Sequence, residues 1–171
     1  HKRLKDNIEY FLSHTDEKSC IVIAGGNPDY IIKNPRVLYA GDMIWEKLVS
    51  LYRRADKFIH LAWLDHCPNV VVDARASGCE IICSDSGGTK EIAGTNATLV
   101  CEENEWDFMP TRLYNPPKMD YNKTSKNNID SNIDIGNVCD RYVEALTETF
   151  NAWNEKVDKG NIEFEDEEFD L

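Results

Sequence analysis

Five short apolar runs recur along the chain and constrain its fold more than any other feature. They are CIVIAGG, RVLYAG, KFIHLAW, EIICSD and ATLVCEE, at residues 20–26, 36–41, 57–63, 80–85 and 97–103. The apolar residues within these runs are largely continuous rather than alternating with polar ones. Continuous runs of this length are typical of strands that are covered on both faces, as in a parallel sheet.

The segments between the runs carry the signals of helices. Pro68 suits a first helical turn, and Gly78 suits the end of the same helix. Two further segments place apolar residues on one helical face; these are Leu48, Leu51, Tyr52 and Ala55 in one segment, and Leu4, Ile8, Phe11 and Leu12 in the other. Strands and helices that alternate in this way predict an α/β domain with a mostly parallel sheet.

The composition changes after residue 115. Residues 116–137 are rich in Asn, Asp, Ser and Lys without a regular period, which predicts a polar loop. A long amphipathic helix is predicted at 138–157, and residues 158–171, with seven acids and one Lys, are predicted to be a frayed acidic tail. We therefore expect one domain formed by residues 1–115 together with the long helix.

Charge and hydropathy exclude several classes of protein. The chain has 171 residues, of which 31 are acidic and 19 basic, and a net charge of −12. Nonspecific nucleic-acid binding is disfavoured, because it needs cationic side chains that displace counterions. No apolar run approaches the roughly 20 residues of a membrane helix, and the opening residues lack a signal-peptide core. We expect no nucleic-acid partner, no transmembrane segment and a cytoplasmic location.

The cysteines suggest a reducing compartment. They form no CxxC pair and no Cys/His cluster, and they are Cys20, Cys67, Cys79, Cys83, Cys101 and Cys139. Because four of them lie in or beside apolar runs, we interpret them as buried free thiols rather than as zinc ligands or disulfides.

The loops after the strands are the first places to look for a binding site, because doubly wound sheets bind ligands at the carboxyl ends of their strands. Gly87 and Gly88 precede a predicted helix, where backbone N–H groups could approach an anion. A tight turn without a ligand would need the same glycines. The pair alone leaves both interpretations open.

Asp65 and Asp73 lie eight residues apart, before and within the helix that starts near Pro68. Both can reach one pocket, where a carboxylate would accept hydrogen bonds from the vicinal hydroxyls of a ribose or hexose. The alternative from spacing alone is that Asp65 caps the helix and Asp73 is solvated.

The segment DHCPNVVVDARASGCEIICSDSGGTKEI at 65–92, preceded by VLYAGDMIWEKLVSLYRRADKFIHLAW at 37–63, resembles the C-terminal, donor-binding domain of family 4 retaining glycosyltransferases. These enzymes have two Rossmann-like domains, the GT-B fold. The resemblance covers residues 1–115 and the terminal helix. It implies a Rossmann-like three-layer sandwich with a mostly parallel sheet, whose first strand is missing from this chain.

The resemblance also implies residue roles. Arg3, or Lys2 as the alternative, matches the basic residue that contacts the donor diphosphate and stabilises the departing nucleotide. Asp65 matches the first acid of the family's E-x7-E motif, near the transferred sugar. Asp73 matches the second acid, on the ribose hydroxyls.

Further matches lie in the loops. Met43, after Gly41, matches a position whose backbone meets the nucleobase. Cys67, Pro68 and Asn69 match the loop along the sugar and phosphates. The remaining substrate-binding candidates are Gly41, His66, Gly87 and Gly88.

Both motif acids are Asp where the family has Glu, which shortens each side chain by a methylene group. The family is thought to retain anomeric configuration by attack of the acceptor hydroxyl on the face from which the nucleotide leaves, so no enzyme nucleophile is needed. A nucleotide-diphosphate sugar is then the donor substrate, with no cofactor and no metal. Because the acceptor site belongs to the family's N-terminal domain, we expect this chain, which starts at His1 and looks cut from a longer protein, not to transfer sugar alone.

Two other functions compete with this one. A noncatalytic Rossmann-like module for protein or glycan partners is the main alternative. A dinucleotide oxidoreductase is disfavoured, because no GxGxxG follows the first run and no matching acid ends the second. We interpret His60 as structural and the tryptophans, including Trp45 and Trp63, as packing residues.

Overall fold

The computed structural model describes residues 2–103 and 116–158. Its elements, in chain order, are α1 Leu4–His14, β1 Ile21–Ala24, β2 Val37–Gly41, α2 Trp45–Tyr52, β3 Lys57–His60, α3 Asn69–Ala76, β4 Glu80–Ser84, α4 Thr89–Ala93, β5 Thr98–Glu102, β6 Met119–Lys126 and α5 Ile135–Asp158. All five apolar runs are strands, as predicted. Trp106 and residues 159–171 of the acidic tail lie outside the described residues.

The strands form two sheets in the described part of the chain. The larger has the order β3-β4-β5-β6, in which β3, β4 and β5 are parallel and β6 is antiparallel. The smaller pairs β1 with β2 in parallel. The predicted class, a Rossmann-like α/β sandwich with mostly parallel strands and a long C-terminal helix, is confirmed.

The larger sheet is covered on both faces. Ile81 and Cys83 of β4 pack with Val71 of α3, whereas Ile82, between them, packs with Tyr10 of α1. Because successive side chains of a strand point to opposite faces, α1 lies on one side of the sheet and α3 on the other. This explains why the β4 run is continuously apolar.

The first two runs are less buried than predicted. In β2, Val37 is buried, but Leu38 is 48% and Tyr39 is 37% exposed. The residues of β1 are half-buried or exposed. The apolar pattern correctly identified these strands, but a two-stranded sheet does not enclose them as the four-stranded sheet encloses β4.

Residues 116–137 were predicted to be a loop, and this prediction is wrong for Met119–Lys126. These residues form β6, which pairs with β5 through a register that shifts between Val100 and Cys101. Met119 is buried, while the following residues are half-buried or exposed. A polar edge strand of this kind depends on the hydrogen bonds of its neighbour rather than on its own hydrophobic pattern.

The chain divides into two compact units, residues 1–131 and 132–171. The second contains α5, which begins at Ile135, three residues before the predicted start. Its predicted apolar stripe is exposed, including Tyr142 at 69% and Leu146 at 60%. That α5 belongs to the same domain as residues 1–115 stays a prediction.

The cysteines are free but not uniformly buried. Cys79 and Cys83 are buried and Cys101 is half-buried, whereas Cys20, Cys67 and Cys139 are exposed. The prediction of buried thiols is therefore wrong for the last three, which lie in a loop before β1, in a loop after β3 and on α5. Burial raises the pKa of the Cys83 thiol to about 12. Within residues 2–103 and 116–158, no helix has the length and apolar character to cross a membrane.

Candidate functional site

The loops after β3 and β4 pack directly on one another at the carboxyl ends of these parallel strands. The Gly88 N–H donates to the carbonyl oxygen of Asp65 at 3.0 Å. A Cβ at Gly88 would overlap the carbonyl oxygen of His66, and a Cβ at Gly87 would lie 2.8 Å from that of Asp65. The two glycines are therefore required for this close approach, which fixes the loop that carries Asp65.

Asp65 lies at the centre of this arrangement. One of its carboxylate oxygens, Oδ2, is 2.5 Å from the Lys2 ammonium and 2.9 Å from Nε2 of His60. The Asp65 side chain is 16% exposed, so solvent reaches it only in part. Burial would by itself raise the pKa of Asp65, but the hydrogen bonds from Lys2 and His60 and the charge of Lys2 outweigh it, and the pKa is lowered. Asp65 is therefore an anion near neutral pH.

His60, interpreted from the sequence as structural, also contacts Asp65. It is the last residue of β3, and its side chain is 9% exposed. Burial lowers the pKa of His60, although the hydrogen bond to Asp65 opposes this effect. A histidine that interrupts an apolar run five residues before an acid is the signal that could have identified it.

The two cationic candidates, Arg3 and Lys2, have different environments. Arg3 is buried, and its guanidinium donates to Glu102 Oε1 at 2.9 Å and to the Pro117 carbonyl oxygen at 2.7 Å. It also lies over the ring of Trp63, 5.2 Å from the centroid. The Lys2 side chain is 57% exposed. The cation at the surface beside Asp65 is therefore Lys2, the alternative candidate, whereas Arg3 occupies an internal ion pair.

Asp73 lies in α3 and, like Asp65, is half-buried. Its Oδ2 accepts a long hydrogen bond of 3.4 Å from the indole N–H of Trp45, the first residue of α2. Trp45 and Ile44 are each 62% exposed. Trp63 is a core residue, as predicted, but Trp45 presents its ring to solvent beside one of the two acids.

The remaining predicted residues lie in the adjoining loops. His66, Cys67 and Asn69 are exposed, and Pro68, which immediately precedes α3, is buried. After β2, Gly41 has a φ of 68°, and its carbonyl oxygen accepts the Gly25 N–H at 2.8 Å. Met43 follows in the same loop and is half-buried. The substrate roles of all these residues stay predictions.

A separate concavity of about 640 Å³ lies before β1 and β2, lined by Glu17, Lys18, Ser19, Cys20, Asn34, Pro35 and Arg36. These residues are at the amino ends of two parallel strands. Since ligands of α/β sheets bind outside the carboxyl ends, we place the candidate site at Asp65 rather than here. In the described ranges, no group of three or more His, Cys, Asp or Glu is arranged to bind a metal ion.

Comparison with known proteins gives one family match that covers most of the chain. The family described as Glycosyl transferases group 1 matches residues 1–110, which is more than half of the chain. No curated protein and no solved structure matches the chain. The matched range contains every predicted site residue, from Lys2 to Gly88.

Proposed function

Because the chain belongs to the group 1 glycosyltransferases, we propose that it is the donor-binding, C-terminal half of a family 4 enzyme with a GT-B fold. Such an enzyme would transfer a hexosyl group from a nucleotide diphosphate to an acceptor hydroxyl, with retention of configuration. The observation that carries the proposal is Asp65, an anionic and partly shielded carboxylate that Lys2 and His60 contact at the carboxyl end of β3.

Three parts of the donor, namely its sugar, its ribose and its diphosphate, would have a chemical counterpart in this site. The sugar hydroxyls would donate to Asp65, and the ribose hydroxyls would donate to Asp73. Lys2 is the exposed cation, so it is the group available to neutralise the charge that develops on the departing diphosphate. Arg3 would then support the site from inside, through its bonds to Glu102 and Pro117.

The acceptor would bind to a second domain, in keeping with GT-B enzymes. The acceptor hydroxyl would attack the donor sugar on the same face from which the nucleotide leaves. This reaction requires no nucleophile from this chain. We expect donor binding without sugar transfer by the 171-residue chain, in the cytoplasm. Transfer catalysed by this chain alone would contradict the assignment of the acceptor site to another domain.

Thermal unfolding and calorimetric titration with UDP, GDP, ADP and their glucose conjugates test the proposal. A ligand that binds only the folded state at 100 times its Kd adds about 2.7 kcal/mol to the free energy of unfolding. We expect one nucleotide series to raise the melting temperature, with tighter binding of its sugar conjugate.

Asp65→Asn should weaken binding of the sugar conjugate. Asp140→Asn, which changes an exposed Asp of α5, should not weaken it. If the folded chain binds none of the six ligands, the proposal fails and the noncatalytic module is favoured.

A further inference from the structure

The imidazole ring of His60 is polar and almost fully buried. Its ring lies 6.1 Å from that of Phe58, nearly parallel to it, and its backbone pairs with Cys83 of β4. A buried imidazole nitrogen without a hydrogen-bond partner is costly. His60 finds its partner in Asp65, only five residues further along the chain.

The turn between these two residues is strained. Leu64 has a φ of 52°, in the left-handed region that side chains other than glycine rarely adopt. The backbone of Gly87 packs against it, so closely that a Cβ at Gly87 would lie 3.0 Å from the Leu64 Cα. Strain of this kind persists only where surrounding contacts maintain it, and it concentrates at functional sites.

The chemistry of the contact fixes the state of the histidine. An ionised carboxylate only accepts hydrogen bonds. Nε2 of His60 must therefore be protonated and donate a hydrogen bond to Asp65. Burial favours the neutral ring, as the lowered pKa of His60 indicates. The neutral ring can therefore orient the carboxylate without cancelling its charge.

The two donors to Asp65 use the same oxygen. Lys2 and His60 both contact Oδ2, and in the described part of the chain no hydrogen bond reaches Oδ1. Fixing one oxygen restricts rotation of the carboxylate. The second oxygen keeps its capacity to accept a hydrogen bond from a ligand.

We propose that His60 is a positioning residue, which fixes Oδ2 of Asp65 so that Oδ1 can accept a hydroxyl of the donor sugar. This inference rests on the proposed function, because it assumes that Asp65 contacts the sugar. It adds a specific consequence: His60 contributes to recognition of the sugar and not to recognition of the nucleotide.

The test compares two variants of His60. His60→Leu removes the hydrogen-bond donor to Asp65, whereas the amide N–H of His60→Gln can replace that of Nε2. Calorimetry gives the Kd of each variant for UDP, GDP and ADP and for their glucose conjugates. We expect His60→Leu to reduce the preference for the sugar conjugate about tenfold, as loss of a hydrogen bond to a charged group does. Binding of the bare nucleotide should change less than about twofold, and His60→Gln should restore most of the preference.

An unchanged preference in His60→Leu, or an equal loss in His60→Gln, would overturn the inference while leaving the proposed function intact. A wild-type chain that binds no ligand would instead overturn the proposed function. If His60→Leu does not fold, ¹⁵N NMR of the wild-type histidines replaces it. We expect a neutral Nε2–H tautomer for His60 whose signals move with the sugar conjugate and not with the bare nucleotide; an Nδ1–H tautomer would refute the inference.

Discussion

Asp65 and Asp73 have the same type of side chain, but their surroundings constrain the two side chains differently. Asp65 follows a strained turn, receives bonds from Lys2 and His60, and belongs to a loop packed against Gly87 and Gly88. Asp73 lies on a helix and accepts one long bond from an exposed Trp45. The geometry of Asp65 is therefore fixed before any ligand binds, whereas that of Asp73 depends more on the ligand.

The largest expected effect concerns the packing beneath Asp65. In Gly88→Ala the new Cβ would overlap a backbone carbonyl, whereas in Gly26→Ala it would meet the side chain of exposed Asp42, which can move. We expect Gly88→Ala to lower the free energy of unfolding by about 2–3 kcal/mol, in the range for overpacking, and Gly26→Ala by less than about 1 kcal/mol. Urea denaturation measures both, and equal losses would show that the Asp65 loop is not tightly fixed.

A smaller effect on the free energy of unfolding is expected when the pH is lowered. The pKa of His60 is lowered on folding, so the unfolded chain takes up a proton first as the pH falls below about 6.5. The free energy of unfolding should therefore decrease between pH 7.5 and 5.5. Asp65, whose pKa is also lowered, should add a further decrease at lower pH, as it is protonated in the folded state.

Two variants assign this pH dependence to the Asp65 region. His60→Gln should flatten the slope between pH 7.5 and 5.5, because Gln does not titrate and the nearby Lys2 and Asp65 keep their charges. Trp45→Phe, next to Asp73, should retain the wild-type slope. A slope that His60→Gln leaves unchanged would contradict the burial of a neutral His60.

The smallest effect is expected at Trp45. Trp45→Phe removes an exposed hydrogen bond of 3.4 Å and keeps an aromatic ring. The free energy of unfolding should change by less than about 0.5 kcal/mol, and the Kd of the bound nucleotide by less than about threefold. A tenfold loss of nucleotide affinity would mean that Asp73 is fixed in advance as firmly as Asp65.

The sequence predicted the strands and most helices because their signals are local. The β4 run is continuously apolar since both faces of that strand are covered, and Pro68 and Gly78 flank α3 as expected. The long-range pairing of Met119–Lys126 with β5 had no such signal, because the strand is polar and lies at the edge of the sheet.

The sequence predicted which loops and helix carry the candidate residues, but it did not predict the contacts of those residues. The resemblance selected Asp65 and Asp73, and it implied Arg3 for contact with the diphosphate, with Lys2 as the alternative. The internal position of Arg3 was not predictable, because its partners Glu102 and Pro117 are distant in sequence. The role inferred for His60 likewise required the left-handed turn at Leu64, which no local pattern indicated.

The central claim is that Asp65 recognises the sugar and Asp73 the ribose of one bound donor. Its most direct test is to measure the Kd of wild type, Asp65→Asn and Asp73→Asn for three ligands of the nucleotide series that binds. The ligands are the glucose conjugate, the bare nucleoside diphosphate and the 2′-deoxy form of that diphosphate. Asp65→Asn should abolish the preference for the conjugate and leave discrimination against the 2′-deoxy form unchanged, and Asp73→Asn should do the reverse. Equal weakening of all three ligands by both variants, or a folded wild type that binds none of them, would contradict the claim.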